Sequence, residues 1–449
     1  MMLYTKLDVS KDTKYICYGA GNNATKLLEV LEKKDLLNRA LFFVDNNKEL
    51  HNTNIKYGEF CYSIYPIEKL NENPDAIVII TPWQSDEIVK EIKKQNTVKY
   101  YMTLNEFIAF INIKECFAEN YSINTRFIVL NTPSYGNLGD HAIVIAQRDF
   151  LEKYFTNEII EINDFSCTWG MSCIKEHVND NDIIIITGGG NLGSIWGYLT
   201  ENILNTIEDF PNNNIIIFPQ SPYYEPNEIG EELLHTSQII FAKHNNLLIC
   251  VRDNDSYKRT RDYFPESEYL LVPDIVLSLK YDISSSRNGI GICLRDDKEG
   301  VLSNEEHKMV YNIVERHSNN VVYKELMINE YDKEVKYIEE LTEDMIKSFA
   351  RLKCVITDRL HGMVFSVITG TPCIVIDNSY KKTSSLYFTW LSKNDNIIFI
   401  DEISEEIINE AIIDVLKKKP IVYNVDSIQP YYNELIEYIS ELVGMKNND

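Results

Sequence analysis

Short runs dominated by β-branched residues, with almost nothing polar inside them, recur along this 449-residue chain. They include AIVII (76–80), DIIIIT (182–187), NIIIF (214–218), KCVIT (353–357) and CIVID (373–377). A strand with one wet face alternates apolar and polar side chains. A run without alternation has both faces covered, as in parallel sheets layered between helices. Helical patterns fill the gaps. Residues 303–317 open with Ser303 and Glu306 as a capping box and carry a stripe of Met309, Val310, Ile313 and Val314. Residues 404–419 start at Ser404, and the spacing places Lys417, Lys418 and Lys419 in a last helical turn. Alternating strand and helix predicts an α/β architecture that binds ligands at the carboxyl ends of its strands.

Two breaks divide the pattern. One follows LNEFIAFINIKECF near residue 117, and the other is the polar stretch SSSRNG (284–289), giving expected domains 1–117, 118–285 and 286–449. The composition is 44% hydrophobic and 25% charged, as in folded globular chains. Against 44 basic residues stand 68 acidic ones, a net charge of −24. That excludes a general nucleic-acid binder and a broad basic face for anionic lipid, but leaves room for a small basic pocket. The nine cysteines are odd in number and scattered, with no CxxC, and the eight histidines form no HxxxH or HxH pair. Buried free thiols and no zinc site are expected. No apolar run reaches 18 residues and the first residues carry no cleavage signature, so a cytoplasmic protein without a transmembrane segment is expected.

The N-terminal segment KYICYGAGNNATKLLEVL reads as strand, turn and helix, with Gly19, Gly21 and Ala24 forming G-x-G-x-x-A and Asp45 ending the next strand. This is a dinucleotide-fold fingerprint and makes Gly19, Gly21 and Asp45 a candidate nucleotide-binding set. The alternative is a Rossmann-like domain that uses its glycines only to turn.

Four features further along carry chemistry. NTPSYGNLGDHAI (131–143) joins a strand to a helix, with Gly136 and Gly139 permitting a turn and Asp140 placed as N-cap. GGGNLGSIW (188–196) follows a strand directly. Gly188, Gly189 and Gly190, with Asn191, would offer backbone N–H groups to an anion or sugar. Of only 11 arginines, Arg252, Arg295 and Arg359 each follow an apolar run, at the strand ends that face the ligand crevice. Guanidinium groups suit carboxylate and phosphate, although pairing with the adjacent Asp253, Asp296 and Asp358 is the bland alternative. Finally, DRLHG (358–362) sets His361 beside Arg359, and Lys381 and Lys382 follow the next strand.

Taken in order, NTPSYGNLGDHAI, GGGNLGSIW, NIIIFPQS, ICVRDNDS, VPDIVLSL and TDRLHGMVFSVITGTPCIVIDNSYKK resemble the polysaccharide pyruvyl transferase family over residues 126–392. The resemblance implies two Rossmann-like halves in a glycosyltransferase-B-like arrangement, with the active site in the cleft. It implies transfer of pyruvate from phosphoenolpyruvate to sugar hydroxyls, forming a ketal in capsular or exopolysaccharide assembly. The family's Arg and His map to Arg359 and His361, and its RD-x-x-S segment to Arg252, Asp253 and Ser256. Ser221 stands where threonine is common, and Lys381 where glycine is usual.

On this reading phosphoenolpyruvate is held by Arg252, Arg295, Arg359, His361, Lys382, Gly188, Gly189, Gly190 and Asn191. The acceptor, expected to be a lipid-linked glycan or repeat unit, meets Asn137, His141 and Asp253. His361, held cationic above its ordinary pKa by bound anions, delivers the proton. Arg359 supports the departing phosphate, and Asp140 or Asp253 is the base unless both are caps. No cofactor or metal is expected, and peripheral membrane contact and oligomeric state stay open. A nucleotide-sugar glycosyltransferase of the same architecture and a non-catalytic scaffold are the alternatives.

Overall fold

A computed structural model of the chain describes residues 13–95, 97–117, 124–281, 286–297, 300–328, 335–377 and 381–444. The β-branched runs become strands of three sheets. The first contains β1 (Tyr15–Tyr18), β2 (Ala40–Val44), β3 (Asn54–Tyr57), β4 (Phe60–Tyr65), β5 (Ile77–Ile80) and β6 (Tyr100–Thr103), in the order β3-β4-β2-β1-β5-β6. Only β3 runs antiparallel to its neighbour. The second contains β7 (Phe127–Thr132), β8 (Ile159–Asn163), β9 (Ile183–Ile186), β10 (Asn214–Gln220), β11 (Leu247–Val251) and β12 (Glu268–Leu271), in the order β12-β11-β10-β9-β7-β8. The third contains β13 (Ile290–Cys293), β14 (Val321–Tyr323), β15 (Cys354–Thr357), β16 (Cys373–Ile376) and β17 (Ile397–Ile400), in the order β14-β13-β15-β16-β17. The pairings in the second and third sheets are parallel. β1, β5, β9, β15 and β16 are buried along their whole length, as strands without alternation must be.

Packing divides the chain into two compact units, Met1–Tyr121 with Phe165–Val178, and Ser122–Asp164 with Asn179–Asp449. This partition differs from the sequence boundaries in two ways. The segment Phe165–Val178, expected within 118–285, belongs to the first unit. There Gly170, on the helix Asp164–His177, sits so close to Ile113 that a Cβ would lie 2.3 Å from Ile113 Cδ1. The boundary at 285 falls inside the second unit, and the stretch 284–289 lies partly outside the described residues. The second and third sheets share one apolar core, in which Phe150, Phe218, Phe349, Phe365 and Tyr432 belong to one cluster. Arg148 bridges them as well, reaching Glu161 at 2.6 Å and Glu339 at 2.5 Å.

The capping box at Ser303 and Glu306 forms and starts the helix Asn304–His317. The helix opened by Ser404 ends at Val415, so Lys417–Lys419 lie beyond it, contrary to their expected place in its last turn. Lys417 instead pairs with Asp414 at 2.9 Å. The nine cysteines are all free thiols, and seven of them are buried. No helix among the described residues is long and apolar enough to cross a membrane.

A buried ion pair fixes the entry to the second sheet. Arg126 Nη2 lies 2.6 Å from Asp182 Oδ2, with side-chain exposures of 4% and 0%. The same carboxylate accepts the backbone N–H groups of Arg126 and Asn179. Arg126→Met would leave that carboxylate buried without its cation, at a cost of about 3–5 kcal/mol. We expect a matching fall in the denaturation midpoint, mostly recovered when Asp182→Asn is added; a single variant as stable as the parent would contradict this.

Candidate active site

In each sheet of the second unit the strand order reverses once, between β7 and β9 and between β13 and β15. Ligand crevices form outside the carboxyl ends of strands at such reversals. The chain leaves β7 through residues 131–137, β9 through the glycine loop, β11 at Arg252, β13 at Arg295, β15 at Arg359 and β16 towards Lys382. Asn137, Asp140, Gly190, Asn191, Arg252, Arg295, Arg359, His361 and Lys382 line one cavity there, with Trp196, Leu326 and Leu360. The two sheets are stitched at its rim, where Leu138 N donates to Leu326 O and Ile328 N to Gly136 O, both at 2.8 Å.

None of the three arginines pairs its side chain with the acid next to it. Arg252, 3% exposed, donates through Nη1 to Asp274 Oδ2 at 2.9 Å and through Nε to Ser221 Oγ at 2.7 Å. Its Nη2 faces Gly190. Arg359 donates through Nη2 to Glu325 at 2.8 Å, while its buried Nε has no acceptor among the described residues. Arg295 forms a two-pronged pair with Asp297, at 2.8 and 2.9 Å. Lys382 is buried, and its Nζ lies 3.1 Å from where a Cβ on Gly190 would sit. Lys381 before it adopts φ +55°, the left-handed region glycine enters freely, which costs roughly 1–2 kcal/mol for a residue with a Cβ. That is the physical reason a glycine is at home at this position.

The glycine loop is not the open row of N–H groups expected. Gly188 N donates to Gln147 Oε1 at 2.8 Å, Gly189 N to Pro219 O at 2.9 Å and Asn191 N to Gln220 Oε1 at 3.1 Å. Of the three consecutive glycines, Gly190 alone has an N–H without an acceptor among the described residues. The loop extends the sheet alongside β10, and its amides are used in doing so. What the glycines provide is proximity, since a side chain at 190 would displace the Lys382 ammonium.

His361 lies in the first turn of the helix Leu360–Ile368, against Gly139, whose missing Cβ would fall 2.3 Å from His361 Nδ1. Its Nε2 is buried without a hydrogen bond, 3.8 Å from Asp274 Oδ2. Burial lowers its pKa to about 4, opposed by Asp274 and reinforced by Arg252 and Arg295. The protein's own groups thus favour the neutral ring; the cationic form expected above is that of the site with anions bound. The expectation weighed the anions of a ligand and missed both the burial and the protein's own cations.

Several other expectations change. The N-cap of the helix Leu138–Tyr154 is Asn137, whose side chain accepts from Gly139 N, and not Asp140. Asp140 instead accepts from the Tyr135 hydroxyl at 3.0 Å, and burial raises that phenol's pKa well above its usual value. His141 turns away from the cavity, is 2% exposed and bonds the Tyr135 carbonyl at 2.8 Å; burial lowers its pKa. Asp253 is an N-cap, for the helix Asn254–Tyr263. Its two oxygens accept from Ser256 N, Ser256 Oγ, Ser221 Oγ and Ser385 Oγ, so it has no capacity left for an acceptor sugar or a transferred proton.

Two carboxylates were missed. Asp274 stands in VPDIVLSL, quoted only as part of a pattern, and its partners come from distant strands. Asp358 accepts from Arg295 N at 2.9 Å through Oδ1, while buried Oδ2 has no partner. Burial raises its pKa to about 6, against the backbone and side-chain pull of Arg295.

In the first unit the candidate nucleotide residues have local structural roles. Asp45 Oδ2 accepts from Ala20 N and Oδ1 from Asn47 N, both at 2.8 Å. At Gly19, with φ +98°, a Cβ would lie 2.7 Å from Thr81 Oγ1, so packing explains that glycine. Gly21 is the N-cap of the helix Asn22–Lys33. Elsewhere in the second unit a larger cavity of about 760 Å³ lies along Asp149, Glu152, Tyr154, Tyr281, Glu343 and Gln429. Its three carboxylates outnumber Lys153 and Lys280 and it holds none of the strand-end arginines, so size does not locate the basic site.

A model of the polysaccharide pyruvyl transferase family matches residues 137–380, which contain nearly all of this cavity. General stress protein 30 of Bacillus subtilis (strain 168) is 32% identical over 341 residues, covering 74% of this chain and 94% of that protein. Pyruvyl transferase 1 of Schizosaccharomyces pombe is 28% identical over 313 residues, covering 65% of this chain and 75% of that protein. With its basic cavity at the reversal points of two parallel sheets, and these motifs in register, the chain belongs to the polysaccharide pyruvyl transferase family.

Proposed function

We propose that the chain transfers pyruvate from phosphoenolpyruvate to two hydroxyls of a sugar, forming a ketal on a glycan repeat unit of a capsular or exopolysaccharide. The observation that carries this is the convergence of Arg252, Arg295, Arg359 and Lys382 from four strand ends on one cavity in a protein of net charge −24. Phosphoenolpyruvate presents a carboxylate and a phosphate, the two groups that guanidinium and ammonium recognise best.

The chemistry divides among these groups. A proton goes to the methylene carbon of the donor, which becomes methyl, and C2 gains oxocarbenium character. One sugar hydroxyl adds to C2 and loses its proton. Phosphate then leaves with its electron pair, and the second hydroxyl closes the ketal, losing its proton in turn. Arg252, steered by Asp274 and Ser221, and Arg359, steered by Glu325, present nitrogen atoms to the anions; Lys382 adds charge beside Gly190. Asp140, on the cavity wall, is the candidate base, since Asp253 is saturated as a cap. His361 is the candidate acid. The protein's own groups hold it neutral, so the donor must bring the proton on: its negative charge offsets Arg252 and Arg295 and raises the imidazole pKa from about 4.

Two outcomes test these roles. Arg359→Ala should lower phosphate release from phosphoenolpyruvate in the presence of acceptor by roughly 10²–10³-fold while leaving the melting temperature nearly unchanged, because its partner Glu325 is 55% exposed and can rehydrate. An unfolded variant, or one with normal turnover, would make Arg359 structural.

Phosphoenolpyruvate binding near pH 7 should take up a proton, seen by calorimetry as a binding enthalpy that changes with the ionisation enthalpy of the buffer. His361→Gln should abolish the uptake, keep donor binding and lower saturated turnover by about 10²–10⁴-fold. If binding takes up no proton, and saturating donor restores the variant's rate, His361 serves only to bind.

A further inference from the structure

The first unit has a pocket of its own. Its sheet reverses order at β1, which lies between β2 and β5, and the pocket opens at the carboxyl ends of β1, β5 and β6. Asn23 and Lys26 reach it from the helix Asn22–Lys33, Trp83 and Ser85 from the loop after β5, and Asn105 from the start of the helix Leu104–Cys116. The helix Asp164–His177 supplies Trp169. Every one of these residues belongs to the first unit.

The chain has four tryptophans. Trp196 lines the basic cavity and Trp390 donates its indole N–H to Arg252 O. The other two lie here, with Trp83 78% and Trp169 42% exposed. Indole surface left in water at a concave, polar-rimmed place marks a binding site and not a packing residue. The rim is chemically ready. Asn23 Nδ2 is fixed on Thr81 O at 2.8 Å, which orients its carbonyl oxygen. The side chains of Lys26, Ser85, Asn105 and both tryptophans have no protein hydrogen-bond partner among the described residues. Asp45, the acid of the nucleotide fingerprint, already holds the Ala20 amide.

We propose that this pocket binds a pyranose unit of a glycan, with Trp83 and Trp169 as stacking platforms and Asn23, Lys26, Ser85 and Asn105 as hydrogen-bonding groups. An indole face packs against the C–H face of a sugar ring, while amide, hydroxyl and ammonium groups meet its hydroxyls. The first unit is then an anchor for the acceptor polymer, an inference that rests on the acceptor being a glycan. A protein partner would fit the two indoles but not the concave rim of unpaired polar groups. A nucleotide ribose would need Asp45, which already holds the Ala20 and Asn47 amides.

The test uses the full-length protein on a printed array of bacterial polysaccharide repeat units and of hexose and N-acetylhexosamine oligomers. The parent should bind a subset, and Trp83→Ala/Trp169→Ala should lose at least ten-fold in affinity for it. Thermal stabilisation by phosphoenolpyruvate should be unchanged in that variant. Trp83→Ala alone, at the more exposed position, guards against a folding defect and should show a partial loss. Arg359→Ala should keep glycan binding, so a failed pyruvyl-transfer reading and a failed anchor are told apart. The proposal is overturned if no glycan binds, or if the tryptophan variants bind as the parent does. It is also overturned if UDP quenches the tryptophan fluorescence in the parent but not in the double variant, or if the double variant instead abolishes a concentration-dependent increase in mass by light scattering.

Discussion

The basic cavity depends on one buried carboxylate, Asp274. Its Oδ2 takes Arg252 Nη1 at 2.9 Å and lies 3.8 Å from His361 Nε2, while Oδ1 caps the short turn Ile275–Ser278 through Val276 N. Its backbone carbonyl accepts from Tyr432 on the C-terminal helix Gln429–Leu442. The group is 1% exposed, and burying a carboxylate is tolerable only where cations and donors meet it. Asp274 thus fixes the direction of the guanidinium, sets the only negative neighbour of the histidine among the causes of its shifted pKa, and ties both to the helix that closes the core of two sheets. Without it Arg252 would be a buried cation with only Ser221 to hold it.

The glycines follow a common logic once the side chains are in place. At 139 the open space is filled by the His361 ring, at 190 it faces Lys382 and Arg252, and at 136 it is filled by the Ile328 carbonyl. Each glycine comes from the segment that follows β7 or β9, and each neighbour but Arg252 comes from the third sheet or its connections. Close approach between the two sheets, not anion capture by backbone amides, is what the loops require of these positions. The loop amides are spent on Gln147, Pro219 and Gln220, which holds the loop rigid while side chains carry the charge.

Much of this was legible in the chain itself because the signals are local. Unalternating β-branched runs announce strands buried on both faces, and an arginine directly after such a run stands at the ligand end of a parallel sheet. The motif order carried the family. What was not legible depends on neighbours far apart in sequence. Asp253 looked available until three serines, two of them distant, were seen to fill its oxygens. His141 sits two residues from Gly139, yet the helix turns it inward. The histidine's protonation could not be read from Arg359 beside it, because burial comes first, followed by Asp274 and Arg252, both far away in sequence. Likewise nothing local in 165–178 says that this helix packs with the first unit.

On the proposed reading, the pairing of the site's arginines lets an acidic protein hold an anionic donor without trapping its product. Four unpaired cations at such close range would repel one another and would hold phosphate as firmly as the donor. Here Arg252, Arg295 and Arg359 each carry a carboxylate partner, Asp274, Asp297 and Glu325. The partners lower the net charge of the cavity while leaving directed donors, Arg252 Nη2 towards Gly190 and Arg359 Nε with no acceptor among the described residues. Recognition then rests on the geometry of oriented N–H groups more than on bulk potential. Such a site favours a ligand that presents two anionic groups at a fixed separation over one that presents a single group. In the reaction proposed above, donor and product differ in just that way, since phosphate leaves while the carboxylate stays with the sugar.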